Sequence, residues 1–123
     1  MNHSANSSRY TARRERQQRK LDAGFLSAQF PEVAGIVISM AYHQRDAQES
    51  FPRIINFFPG SYAFFRIDCL NKNCGEGGFD FTQVITGMIR NRRENVKGDI
   101  NCEGGGHSAG HAAIAYEVAI KYA

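Results

Sequence analysis

Tryptophan is absent from this sequence, and cysteine is both scarce and odd in number, with three in 123 residues. An odd set argues against the paired-disulfide framework of a small secreted scaffold. In a reducing compartment, thiols near histidines are better explained as ligands than as one disulfide plus a spare. No apolar run approaches the ~18 residues that a membrane-spanning helix requires. The N-terminal region also lacks the apolar centre of a secretory signal, so the expectation is a cytoplasmic protein with no membrane association. Internal repeats are missing. So is the Lys-Ser/Thr ending that would make a phosphate loop of the glycine run at 104–106. The H-x-E with P-C-x-x-C pattern of zinc deaminases is not there either.

What the chain does have is an uneven charge. Residues 1–22 hold Arg9, Arg13, Arg14, Arg16, Arg19 and Lys20 against Glu15 and Asp22, whereas the whole chain carries +3. The body is therefore close to neutral and the basic character is concentrated in an arm. A chain of this length has room for one packed domain. We divide it into a basic N-terminal arm over 1–30, partly disordered or helical, and an α+β domain over 31–123.

Periodicity places the elements. Met1 to Ser8 is small and polar and reads as disordered. Arg9 to Phe30 is rich in helix formers without an apolar stripe in its first half, and Pro31 closes it. Val33 to His43 reads as a strand with Ile36, Ile38, Met40 and Tyr42 on one face. His43 to Ser50 reads as a loop or hairpin end. Arg53 to Phe58 is a short strand stopped at Pro59-Gly60. Tyr62 to Cys69 reads as a second strand, with Ala63, Phe65, Ile67 and Cys69 on one face. Asp80 and Gln83 fit a capping box that opens a helix reaching about Arg92, its apolar face being Phe81, Val84, Ile85, Met88 and Ile89. Val96 to Cys102 alternates again. Ala112 to Tyr122 reads as the longest strand, with Ile114, Tyr116, Val118, Ile120 and Tyr122 facing one way. The expected fold class is α+β: an antiparallel sheet with one packed helix between two zinc-knuckle-like hooks, preceded by a basic N-terminal helix or arm.

Those hooks carry the chemistry. Cys69 and Cys74 form a C-x4-C pair, and Cys102 opens the run CEGGGHSAGH, which contains His107 and His111. Zinc favours four thiolate and imidazole ligands in a tetrahedron, and structural sites are filled by protein. Two strand-end hooks on neighbouring strands can converge on one ion even when remote in sequence. Flanking glycines permit the bends this needs. The candidate set is Cys69, Cys74, Cys102 and one histidine. His107 mirrors the spacing of the first hook, while His111, at the threshold of the last strand, has the better fixed direction. The plain alternative is that the thiols are buried as small hydrophobes and the histidines face solvent. An iron–sulfur cluster fits less well, because clusters usually take four cysteines.

The segments FPEVAGI, INFFPGSYAFFRIDC, GGFDFTQVI, VKGDINCEG and IAYEVAIKY resemble a family of small uncharacterised bacterial proteins with a cysteine-rich zinc-knuckle appearance. The resemblance covers roughly 31–122 and leaves the arm out. It implies an architecture and a bound zinc ion, and no reaction. In that family the last ligand is a cysteine just ahead of the final tyrosine-bearing strand, a place that matches His111 here. Imidazole in place of thiolate is an acceptable substitution at zinc.

The function read from these residues is that of a binding or interaction module of unknown partner, built on a structural Cys3His zinc site. The second reading is a nucleic-acid-associated regulatory protein whose arm contacts phosphates, set against a plain solvated tail. The third is a zinc hydrolase. There the three cysteines would leave a coordination position for water, with Glu103 and His107 moving protons. Asp68 is either an outer acceptor for a ligand histidine or a surface strand residue. Arg90, Arg92, Arg93 and Lys97 complement a helix C-terminus. The aromatic residues form a core stripe, with Tyr62 and Phe64 on the face away from Cys69.

Overall fold

The structure, a computed structural model, describes residues 3–44, 50–69, 78–102 and 112–123. Helix α1 (His3–Ala23) is followed by a single turn, α2 (Leu26–Gln29), and then by strands β1 (Val33–Gln44) and β2 (Ser50–Phe57). A short ribbon of β3 (Arg66–Asp68) and β4 (Gly78–Asp80) leads into helix α3 (Thr82–Arg90). Strands β5 (Asn95–Asn101) and β6 (Ala112–Tyr122) complete the order. The main sheet is antiparallel throughout, in the order β2-β1-β6-β5, and β3 pairs with β4 in a separate two-stranded sheet. The molecule is thus a mixed α and β fold with a mostly antiparallel sheet, as the alternating patterns predict. Among the described residues no helix is long and apolar enough to cross a membrane.

Alternation decides which face of the sheet is covered. Ile36, Ile38, Met40 and Tyr42 on β1 are buried, as are Ala112, Ile114, Val118 and Ile120 on β6. Period-two burial requires that both strands present these residues to the same side, and the register puts Ile38 opposite Val118 and Tyr42 opposite Ile114. Over this face lies α3. Its Ile85, Met88 and Ile89 are buried at helical spacing, each contributing roughly 1.5–3 kcal/mol. Ring contacts fasten the two layers: Phe81 meets Tyr116 edge-on at 5.1 Å, Tyr42 meets Phe79 at 6.2 Å, and Phe57 meets Phe65 at 5.3 Å. Glycine at 98 makes room for a side chain from the neighbouring strand. A Cβ there would lie 2.7 Å from the Tyr116 hydroxyl and 2.9 Å from its ring, so the tyrosine lies across the bare backbone of β5.

Several elements differ from the sequence expectation. The first helix begins at His3, inside the stretch read as disordered, and ends well before Pro31. Gly24, with φ +73°, stops it, because a left-handed residue after the last turn is where glycine is favoured. Tyr62 to Cys69 is a strand only over Arg66–Asp68. The backbone ahead of it is paired elsewhere: Leu26 N–H donates to the Ser61 carbonyl at 2.7 Å and Ala63 N–H to that of Gly24 at 2.8 Å. Strand β4, over Gly78–Asp80, has no counterpart among the expected elements. Strand β2 starts at Ser50, and at 12 residues β1 is longer than the 11 of β6. The capping box is replaced by a simpler bond, in which Thr82 N–H donates to Asp80 Oδ1 at 2.9 Å, and α3 starts at Thr82. The helix stops at Arg90. Arg92 takes a positive φ of 49°, Arg92 N–H donates to the Ile89 carbonyl and Arg93 N–H to that of Met88. This is the paired C-terminal bonding that usually recruits glycine. The Arg92 guanidinium is 4.7 Å from the centre of the Tyr122 ring, a cation–π contact that offsets part of the strain.

Tyr122 ties the end of α3 to β6. Its single hydroxyl proton is shared between the Arg93 carbonyl at 2.8 Å and the Met88 carbonyl at 3.1 Å. Burial pushes its pKa above the ordinary 10.0; Arg92 opposes this, and Glu32 and Glu94 add to it. The folded state therefore holds the phenol proton more tightly than the unfolded chain. That contribution is complete below pH 10.0 and is lost as pH rises through the raised value. Tyr122→Phe is expected to lower stability by about 1 kcal/mol at neutral pH. It is also expected to flatten the alkaline fall in stability, as measured by urea unfolding across the alkaline range.

Candidate metal centre

The five sequence-predicted ligands divide into two groups. Cys69 and Cys102 are described; Cys74, His107 and His111 lie outside the described residues, as do Glu103 and the glycine run at 104–106. Cys69 follows the last residue of β3 and Cys102 follows the last residue of β5. Both are buried, at 9% and 1% exposure, and both belong to one continuous core cluster. Alternation explains this. Ile67 and Cys69 point inward on either side of exposed Asp68, while Cys102 follows the inward row of Val96, Gly98 and Ile100.

The sheet brings the two cysteines to the same end of the core. Cys102 N–H donates to the Ala112 carbonyl at 3.0 Å, so it extends the β5–β6 ladder by one step. Ala112 in turn is opposite Gln44 on β1. Two residues back along β1 stands Tyr42, 2% exposed, with its hydroxyl oxygen 3.5 Å from the Cys69 sulfur. Sequence reading placed Tyr42 on one strand face with Ile36, Ile38 and Met40 but missed this contact. The available signal was a hydroxyl-bearing ring at the end of an otherwise aliphatic row.

Among the described residues, no three of histidine, cysteine, aspartate and glutamate are grouped so as to hold a metal ion. The pair that is described supplies two sulfurs in apolar surroundings. Ionised thiolates there would need a compensating cation, since an unpaired buried charge costs several kcal/mol. Asp68 faces the other way: its carboxylate accepts from Arg16 Nε at 3.0 Å on the outside of β3. His43 is exposed at the end of β1.

No protein-family model matches the chain, and neither the curated proteins nor the solved structures yield a match.

Replacing Tyr42 by Phe removes only the hydroxyl. The expected result is a loss of about 1 kcal/mol in unfolding free energy with the sheet intact by circular dichroism.

Proposed function

We propose that this protein is a small zinc-binding module whose ion is structural. The ligands are Cys69, Cys74 and Cys102 with His111, and His107 is the alternative fourth. The observation that carries the reading is the placement of Cys69 and Cys102. They come from remote parts of the chain, yet sit in one buried cluster at one end of the sheet, each opening a predicted hook. Bound thiolates would accept a hydrogen bond from the Tyr42 hydroxyl on Cys69, the kind of outer contact that orients and tunes zinc ligands. A closed Cys3His set gives the ion no position for water, which suits a binding or interaction module in a cytoplasmic setting rather than a hydrolase.

The energetic role follows from size. Structural zinc supplies about 10–16 kcal/mol of apparent binding energy that counts toward folding, against about 5–15 kcal/mol of net stability for a typical domain. The ion would clamp β3 to the β5–β6 end of the sheet.

Native mass spectrometry of the full chain is expected to show one zinc per chain, released on denaturation. Cys69→Ser and Cys102→Ser each abolish it, and Tyr42→Phe weakens it about 10–100-fold. His111→Ala lowers zinc affinity where His107→Ala does not; the reverse order moves the fourth ligand to His107. A water ligand in the X-ray absorption spectrum would favour the hydrolase reading. A zinc-free native mass, or full occupancy in Cys69→Ser, ends the proposal.

A further inference from the structure

A groove of about 680 Å³ runs between α1 on one side and β2 with β3 on the other. Its walls are cationic. Arg13, Arg16 and Lys20 come from α1, and Arg53 and Arg66 face them from the strands, against the single carboxylate of Asp68. That carboxylate is already engaged by Arg16, whose side chain is only 13% exposed. Among the described residues, Arg13, Lys20 and Arg53 have no carboxylate partner.

The α1 side of this arrangement is unusual for a docked helix. Positions 13, 16 and 20 are three and four apart, so they lie on one helix face. An ordinary packed helix would carry its apolar stripe there. Here the face turned to the body is basic, and it meets more basic residues. Like charges across a narrow groove repel unless an anion lies between them. Contacts that tie α1 to the body include the Arg16–Asp68 pair and Lys20 Nζ, 6.0 Å from the centre of the Tyr62 ring, and all four residues line the groove.

Aromatic rings line the same groove: Phe57, Tyr62 and Phe64. Tyr62 is stacked on Phe25 at 5.1 Å and is thereby fixed in orientation. Cationic walls that track a phosphate backbone, with rings and guanidinium planes for bases to stack on, form the chemistry that recognises single-stranded nucleic acid. A duplex keeps its bases stacked inside and gains nothing from rings. An acidic peptide would use the cations alone.

We propose that the groove between α1 and β2–β3 binds single-stranded nucleic acid. Arg13 and Lys20 on the helix and Arg53 on the sheet edge grip phosphates, and Phe64 stacks on a base. The helix is one wall of a site that the folded body completes, not an independent tail. None of the residues lining the groove is a proposed metal ligand.

The test uses the full chain and a fluorescently labelled mixed-sequence single strand of about 12 nucleotides, followed by anisotropy between about 50 and 200 mM salt. Wild type is expected to bind with a log–log salt slope of about −2 to −3, the value for three or four phosphate contacts on a single strand. Arg13→Gln, Lys20→Gln and Arg53→Gln should each weaken binding about three- to tenfold and make the slope shallower by about 0.7. Phe64→Leu should weaken binding at least about fivefold and leave the slope unchanged. Arg53 is exposed, so its variant folds and keeps the test decisive should Phe64→Leu unfold. Absence of binding at low salt overturns the proposal. So does a neutral Arg53→Gln beside disabling helix variants, which would return the arm to a simple basic tail. Equal binding of a duplex, or equal competition by poly-glutamate at matched charge, would reduce the groove to a general polyanion surface and also overturn it.

Discussion

The ladder between β1 and β6 fixes which residues of the sheet are inside. From Gly35–Lys121 to Gln44–Ala112 its pairing runs without interruption, the single irregularity falling between Val33 and Gly35. A slip of one residue would turn the whole apolar row outward, and both flanking strands take their register from these two. The same ladder determines where the cysteines go. Because Ile114 lies opposite Tyr42 and the Cys102 backbone is bonded to Ala112, the end of β5 is held near the end of the core that the Tyr42 ring occupies. Cys69 reaches that end from the second sheet. The candidate metal centre is therefore a consequence of strand register before it is a matter of ligand chemistry.

Strand β3 joins the two proposed sites. Cys69, immediately after it, points into the core, while Asp68, one residue earlier, points out and holds Arg16 of α1. Alternation along three residues thus presents a sulfur to one side and a carboxylate to the other. The outward contact is partly exposed and worth at most about 1 kcal/mol by itself. Its importance is positional, since it sets the distance between the basic face of the helix and the strands opposite.

How much of this was legible depended on whether local pattern and tertiary pairing agreed. In β1, β5, β6 and α3 they did, and the faces on which spacing grouped Ile38, Ile85 and Val118 are the buried ones. The stretch from Tyr62 looked equally regular, but its hydrogen bonds go to the backbone around Gly24 and Leu26, and spacing carries no information about partners. Strand β4 was hidden because Gly78 has no strand propensity; it lies against β3, where a Cβ would come 2.7 Å from the Ile67 carbonyl oxygen. Cys69 and Cys102 stood out as ligand candidates by their positions at strand ends, but the contact of Tyr42 with Cys69 bridges remote segments and leaves no trace in local pattern. The groove escaped for the same reason. Its helix half is a visible run of cations, whereas Arg53 and Arg66 look unremarkable until folding brings them opposite.

The two central strands of the sheet are the first and the last of its four in chain order, and Ala123 N–H closes on the Glu32 carbonyl at 2.9 Å. During synthesis β1 must wait for residues 112–122 to leave the ribosome before its β6 partner exists. Until then the row from Ile36 to Tyr42 can pair only with β2, leaving one apolar strand edge open. Contacts this remote in sequence are slow to form, and exposed edges of nascent chains invite association with other chains. A fragment lacking residues 112–122 would thus keep that edge of β1 open, and association through it is the expected fate of such a fragment.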